Sequence, residues 1–314
     1  MSRELPGSQR VFLVVNPRSG RRFVERNWPR IDEKLKKVLG SSYEYEFTER
    51  PNHATEIARR ALHEGFETVV AVGGDGTINE AANGFFEAEK PLNPEAVLGI
   101  LAAGTGSDLA RTLELPDNIE LAVEKLGGRE VRTIDIGTAE FLTMGDEKLT
   151  RYFINIANFG LVGDVMKRAN RSSKPFGGNV AYQWSTIVSL ARHKNNRVSI
   201  QTDDGEPTES RLLNFIVANG AYFGSGMKCA PNASIDDGLF ETIQIDDLGF
   251  FQALANLRKF MKGEHLTHPK VKYGRARSVR ATSEQEVPVE MDGEVVGVLP
   301  ATFRIIPDAI KVLA

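Results

Sequence analysis

Short β-branched runs alternate with helical patterns through the first half of the sequence, and this alternation most constrains the fold. Strands are expected at residues 11–15, 43–47, 68–72 and 98–101. Helices are expected at 28–39, 54–64 and 78–88, and from Leu109 onward. Helices of this length between strands predict parallel pairing through right-handed crossovers, a doubly wound α/β sheet. The grammar changes between Arg132 and Gly137. Strand-like segments then follow one another more directly, at 152–157, 198–202, 212–218, 239–245, 278–281, 287–291 and 301–306, with helices expected near 179–192 and 250–262. Consecutive strands predict a mainly antiparallel, sandwich-like second domain. Two domains suit a chain of 314 residues. The expected division is 1–134 and 135–303, with a tail of about 304–314 free to pack back on the first domain, and the cleft between the domains is the default place for chemistry.

Composition excludes several function classes. A formal charge of −3, from 39 basic and 42 acidic side chains, argues against a general nucleic-acid binder. The single cysteine, Cys229, has no partner for an internal disulfide and no thiolate cluster for zinc, which suits a reducing compartment. The opening residues lack the apolar core of a signal peptide, and no apolar run is long enough to span a bilayer. The expectation is a cytoplasmic protein whose membrane contact, if any, is peripheral.

The sharpest motif is Gly73-Gly74-Asp75-Gly76-Thr77-Ile78-Asn79-Glu80, at the end of an expected strand and the start of a helix. Its glycines let backbone approach phosphate oxygens, and helix N–H groups favour negative charge there. Asp75 adds a carboxylate where a phosphate-bound Mg²⁺ needs one. Read alone, the segment is a tight turn capped by Asp75 and Thr77. It has companions, however: Gly104-Thr105-Gly106-Ser107-Asp108 and Asn16-Pro17-Arg18-Ser19-Gly20 each follow another expected strand. Three polar turns thus converge on the C-terminal edge of one parallel sheet, where ligands bind in such folds. None has the spacing of a P-loop or of the dinucleotide-binding fingerprint.

The motifs Asn-Pro-x-Ser-Gly, Gly-Gly-Asp-Gly-Thr-x-Asn-Glu and Gly-Thr-Gly-x-Asp, in this order, resemble the diacylglycerol kinase catalytic family, which includes sphingosine and ceramide kinases. The resemblance spans the chain from Val11 to about Ile306. It implies an NAD kinase-like and diacylglycerol kinase-like α/β domain, with ATP and Mg²⁺ as cofactors and a membrane lipid as acceptor. It further implies that Asn16, Thr48, Gly74, Asp75, Gly76, Thr77 and Thr105 lie around the nucleotide, with Pro17, Ser19, Gly20, Gly73, Asn79, Glu80, Gly104 and Gly106 completing the three motifs. Ser107 departs from the family, whose members often carry Asn there; a small donor and acceptor is retained.

Two segments of the second half carry further candidates. Asp236-Asp237-Gly238 reads by itself as a turn entering a strand. The resemblance implies a structural Mg²⁺ on Asp237, helped by the carbonyls of Ser234 and Leu239, and makes Asp135 a member of an aspartate–water–magnesium network. Met291-Asp292-Gly293-Glu294 reads as a hairpin turn. The resemblance places this turn in the interdomain cleft, where either Asp292 or Glu294 is the base that removes the acceptor's proton. The chemistry implied is in-line transfer of the ATP γ-phosphoryl to a lipid hydroxyl, with Asp75 assisting the metal.

Basic clusters at Arg18, Arg21 and Arg22, and at Lys167, Arg168, Arg171 and Lys174, read singly as solvated faces. Together they suit an anionic membrane surface. The five histidines show no metal-site spacing and read as surface residues. An exposed edge strand in the second domain could pair subunits into a homodimer. Two rival readings remain: an NAD kinase-like enzyme, which shares the Gly-Gly-Asp-Gly turn, and a lipid- or nucleotide-binding protein without catalysis. The second expects loss of Asp75, or of both Asp292 and Glu294, and all three are present.

Overall fold

Apolar runs in the first half form strands β1 (Val11–Val15), β2 (Tyr43–Phe47), β3 (Thr68–Gly73) and β6 (Val97–Ala102) in a computed structural model of the chain. It describes residues 10–40, 43–87, 90–104, 106–128, 130–161, 190 and 193–313. Strands β6, β3, β1 and β2 lie side by side in parallel. The end of the long final strand β16 (Glu294–Leu313) adds to β6, with Lys311 beside Val97. Alternation along β1 and β3 turns Leu13, Val15, Val70 and Val72 to one face. There they pack with Val24, Trp28, Ile31 and Leu35 of helix α1 (Ser19–Leu39) and with Val123 and Leu126 of α5 (Ile119–Leu126). Helices α2 (His53–His63) and α3 (Asp75–Asn83) pack on each other, and the short strands β4 (Phe86–Glu87) and β5 (Lys90–Pro91) pair with each other outside this sheet.

The chain divides into two compact units, one of residues 1–134 and 308–314 and the other of 135–307. Strands β7 (Val131–Leu142) and β16 cross the boundaries. The second unit is a mainly antiparallel β-sandwich. Its longest run of neighbours is β13 (Val271–Ala276), β12 (Phe240–Asp246), β11 (Thr208–Ala218), β10 (Asn196–Thr202) and β14 (Ser278–Thr282), ending on β16. Strand β9 (Ile156–Gly160) joins β11 to β15 (Pro288–Met291), and β8 (Lys148–Phe153) pairs with β7. The core is aromatic: Phe159 stacks on Phe215 at 4.9 Å and on Phe303 at 6.0 Å. Outside this core, helix α6 (Phe250–Lys262) and a 3₁₀ turn (His265–Thr267) precede β13.

Several expectations change in detail. Helix α1 begins nine residues before the expected Trp28, through Gly20, Arg21 and Arg22, whose φ values of 57°, 57° and 64° are left-handed. Helix α3 stops at Asn83, and α2 passes close to the glycine that follows: a Cβ on Gly84 would lie 2.7 Å from Thr55 O. The helix expected from Leu109 is only Asp108–Thr112 (α4), and α5 is a separate helix capped by the Asn118 side chain on the N–H groups of Glu120 and Leu121. The strand expected at 152–157 breaks at Ile154 and Asn155. Strand β13 was not anticipated, and β16 runs far beyond the expected 301–306. His265 is buried, against the Phe260 ring at 4.2 Å, and not on the surface, because the 3₁₀ turn folds it under α6. The helix expected at 179–192 lies almost wholly outside the described residues, as do Thr105, Lys167, Arg168, Arg171 and Lys174. Among the described residues, no helix is long and apolar enough to cross a membrane.

Because Phe159 is fully buried between two stacked rings, Phe159→Ala is expected to cost about 3–5 kcal/mol. The shift of the urea-unfolding midpoint measures it.

Candidate functional site

The three polar turns of the first unit meet. Asn16 leaves β1 by donating its backbone N–H to Val72 O (2.9 Å), and its side-chain Nδ2 donates to Thr77 Oγ1 (2.9 Å). Its Oδ1 accepts from the Arg18 N–H, which closes the first turn on itself. Ser19 Oγ donates to Ala103 O (3.1 Å), tying this turn to the one after β6. Gly74 and Gly104 bring the remaining two together: a Cβ built on Gly104 would lie 2.7 Å from Gly74 Cα. A Cβ on Gly20 would lie 2.5 Å from Ala103 O. Only residues without side chains permit these approaches. Thr48 stands beside Asn16, its N–H donating to Val15 O at 2.8 Å.

Helix α3 starts inside this junction. Its N-cap is Gly74 in an extended conformation, a residue with no side chain of its own to cap the first amides. Those amides and the positive end of the helix dipole form a seat for an anion. Asp75 lies in the first turn, and its Oδ1 accepts from the Leu109 N–H at 3.2 Å. Burial, and then the charge of Asp108, push the Asp75 carboxyl above the ordinary range, against backbone hydrogen bonds from Leu109 and Asp108 that lower it. Asp108 is itself buried and pairs with Arg111 at 3.2 Å. A cation beside two such carboxylates relieves their repulsion, so Asp75 and Asp108 fit a phosphate-bound Mg²⁺. Sequence reasoning had Asp108 only as the end of a motif; the signal available was its acidic character directly before a short helix.

Not every residue of the motifs faces this junction. Asn79 is buried and its Oδ1 accepts from Asn83 Nδ2. Glu80 Oε2 accepts from the Ala54 N–H, and its backbone O accepts from Thr55 Oγ1 at 2.7 Å. Glu80 thus joins α3 to α2 while Asn79 bonds within α3, and neither presents a group to a ligand in these contacts. Pro17 O accepts from the Glu25 N–H, and Gly106 O from Arg111. Beside the turns opens a cavity of about 510 Å³, whose lining includes Gly20, Arg30, Lys34, Gly104, Ser107 and Asn118.

In the second unit, Asp292 and Gly293 have φ values of 45° and 93°, and Met291 pairs with Glu294 across them. This is the expected two-residue hairpin. The geometry separates its two candidate bases. Asp292 is 9% exposed; its Oδ2 accepts from Ile154 N–H (2.8 Å), and its Oδ1 from Asn155 (3.1 Å) and Ile156 (2.8 Å). Three amides thus occupy its oxygens, and these bonds hold the chain in the break between β8 and β9. Glu294 instead has a side chain 41% exposed and lies 3.3 Å from Arg151.

Asp135 and Asp237 are also engaged. Asp135 is buried, and its Oδ2 accepts from the Gly238 N–H at 2.7 Å. Asp237 accepts from the Leu239 N–H through Oδ1 and pairs with Arg275 through Oδ2. Arg275 also lies 3.3 Å from buried Glu241. A cation on Asp237 would stand against this guanidinium. Ser234 Oγ donates to Asp236, and among the described residues no group of three or more His, Cys, Asp or Glu could hold a metal.

Sequence reasoning missed Glu290. It sits in an apolar strand and reads as an ordinary alternating position. In fact it is fully buried, accepting from Asn158 Nδ2 (2.7 Å) and from the Gly293 N–H. Asn158 in turn accepts from Asn214 Nδ2 at 3.2 Å. Burial is the main cause that pushes its carboxyl up to about 8, from an ordinary value of 4.5. Between those values the folded chain keeps a proton that the unfolded chain releases, so stability falls as pH rises through that window. Glu290→Gln mimics the protonated acid, with the two Asn amides turned over to accept its N–H. It is expected to flatten the decline in urea-unfolding midpoint between about pH 5 and about pH 8.

Residues 10–139 match the diacylglycerol kinase catalytic domain, and residues 155–314 match the YegS C-terminal NAD kinase beta sandwich-like domain. Diacylglycerol kinase of Staphylococcus carnosus (strain TM300) is 33% identical over 310 residues, 97% of this chain and 94% of that protein. Diacylglycerol kinase of Staphylococcus aureus (strain Newman) is 32% identical over 311 residues, 98% and 92% of the two chains. Among solved structures, a diacylglycerol kinase from Bacillus anthracis str. Sterne shares the fold with a TM-score of 0.71 at 20% identity, over 97% of this chain and 96% of that one. Yeast NADH kinase shares it with a TM-score of 0.50 at 12% identity, over 95% and 78%. With both halves matched in order and relatives aligned along nearly its full length, the chain belongs to the diacylglycerol kinase family and is a kinase that phosphorylates an alcohol group.

Proposed function

We propose that the enzyme transfers the γ-phosphoryl of ATP, with Mg²⁺, to a free hydroxyl of diacylglycerol or a related lipid such as a sphingoid base. The observation that carries this reading is the meeting of three turns around the glycine-capped start of α3, which suits the phosphates of a nucleotide. Asn16, Ser19, Gly20, Gly73, Gly74, Gly76, Thr77 and Gly104 form the cradle, and Pro17, Thr48 and Gly106 flank it. Asn79 and Glu80 brace it, Asn79 by a bond within α3 and Glu80 by bonds to α2. Asp75 and Asp108 would hold Mg²⁺, which supplies neutralisation of the charge that builds on the transferring phosphoryl group.

The second unit serves the acceptor. An apolar cavity of about 110 Å³, walled by Leu213, Ile245, Leu257 and Phe260, has room for a few methylenes at the end of an acyl chain. Of the two hairpin carboxylates, Glu294 is the base. Its side chain is 41% exposed and pairs, among the described residues, with Arg151, whereas a hydroxyl reaching Asp292 would have to displace a backbone amide. Asp292, and Glu290 through Gly293, hold the hairpin that presents Glu294. The hydroxyl proton passes to Glu294 as its oxygen attacks the γ-phosphorus; the bond to the β-phosphate oxygen breaks and ADP leaves. Asp135 and Asp237 brace the turn before β12, and a metal at Asp237 requires Arg275 to move aside. The enzyme meets its lipid peripherally, at the cytoplasmic face of a membrane.

The test is transfer of labelled γ-phosphate to a lipid panel in mixed micelles, with NAD as control acceptor. A labelled lipid phosphate is expected, and labelled NADP without it refutes the reading. In the same assay Glu294→Gln is expected to lower kcat by about two to four orders of magnitude with stability retained. Asp292→Asn is expected to lower stability first, by leaving buried amides poorly paired, at about 1–3 kcal/mol each. Gly104→Ala pushes apart the turns at Gly74 and Gly104, and is expected to reduce kcat/KM for ATP on the order of a hundredfold. A Gly104→Ala enzyme with normal kinetics would remove that contact from the cradle.

A further inference from the structure

Helix α6 has two unlike faces. Ala253, Asn256, Leu257 and Phe260 line the apolar cavity of the second unit. The other face carries Phe251, Leu254, Arg258, Met261 and Lys262, whose spacing of three, four, three and one residues makes a single stripe. Phe251 is 82% exposed, the most of any large apolar side chain described; Leu254 and Met261 are 39% and 43% exposed. No residue of this helix is fully buried. A helix that leaves a phenylalanine, a leucine and a methionine in water gives up apolar burial that a partner would restore.

Charge selects that partner. Helix α6 contains no acidic residue, although the chain as a whole is acidic, with a formal charge of −3. Arg258, Lys259 and Lys262 are all exposed, and among the described residues none forms an ion pair with a carboxylate. Large apolar tips between cations, on a helix of low mean hydropathy, are the pattern of a helix lying in the plane of an anionic lipid surface. Tips enter the acyl boundary while arginine and lysine heads stay among the phosphates.

We infer that the outward stripe of α6, Phe251, Leu254 and Met261 with Arg258 and Lys262, is the surface by which this enzyme docks on anionic lipid bilayers. This deepens the function proposed above, because the helix that touches the bilayer is also a wall of the cavity proposed for the acyl chain. The basic clusters of the sequence are not needed for it, since the stripe combines insertion and charge in one element.

The test uses the full chain and sedimentation with vesicles of equal parts phosphatidylglycerol and phosphatidylcholine, or of phosphatidylcholine alone. The wild type is expected to prefer the anionic vesicles. Phe251→Ser/Leu254→Ser/Met261→Ser is expected to weaken binding to them at least about tenfold. Arg258→Gln/Lys262→Gln is expected to remove roughly thirtyfold of the anionic preference. Neither variant touches the cavity or the carboxylate hairpin, so both should phosphorylate a short-chain, water-soluble diacylglycerol as the wild type does. Vesicle binding unchanged in both variants, or absent in the wild type, overturns the inference. A switch from dimer to monomer by light scattering, with vesicle binding intact, overturns it too, by assigning the stripe to a second copy of this chain. Loss of vesicle binding by the variants supports the docking surface even where no tested lipid is phosphorylated, so the two readings fail separately.

Discussion

The candidate nucleotide site depends on one close approach, that of the Gly74 and Gly104 backbones at the ends of β3 and β6. Parallel strands end at a common edge, but side chains normally keep the loops that follow apart. Glycine at both positions removes that separation, so that two turns share one small space and the start of α3 lies open within it. Asn16 and Ser19 then bring in the third turn, by hydrogen bonds to Thr77 and Ala103. The sheet sets the direction of the strands, the glycines set the spacing, and the helix supplies the positive end. Asp75 and Asp108 are held together beside it at an electrostatic cost that a bound cation would remove.

A comparable division of labour governs the carboxylate hairpin of the second unit. Asp292 spends both oxygens on the amides of residues 154–156, and Glu290 binds the Gly293 amide from below. Together they fix a turn whose left-handed dihedrals at Asp292 would otherwise be unfavourable. Glu294 is left half-exposed beside Arg151. Neighbouring carboxylates on one hairpin therefore differ in role because of what surrounds them. Buried and fully bonded groups hold the frame; the one with free access to solvent is suited to exchange a proton.

Much of this was legible in the sequence, and the misses have physical causes. Strands β1 and β2 fall at the expected residues, because continuous apolar or alternating runs bounded by polar turns leave few choices. The three turns were readable as a group, since each follows a strand of the same sheet. What escaped was set by partners far along the chain. The break at Ile154 and Asn155 is imposed by Asp292, more than a hundred residues later. The need for glycine at 84, just past α3, is imposed by the passage of α2. Strand β16 contains Gly297, Pro300 and Pro307, yet it runs on through them, paired with β15 before Pro300 and with β14 after it. Burial of Glu290 and His265 follows from packing alone, and no local pattern announces it. Which of Asp292 and Glu294 is held by amides and which is left exposed could not be read from Asp-Gly-Glu, because the distinction lies in residues far along the chain.

The central claim is that three separate turns form one polyphosphate cradle, and backbone hydrogen exchange with a non-hydrolysable ATP analogue and Mg²⁺ tests it most directly. Slowed exchange is predicted at residues 16–20, 73–77 and 104–108 together, saturating at one ligand concentration. Protection confined to a single turn, or spread elsewhere in the chain with these segments unchanged, would contradict the account.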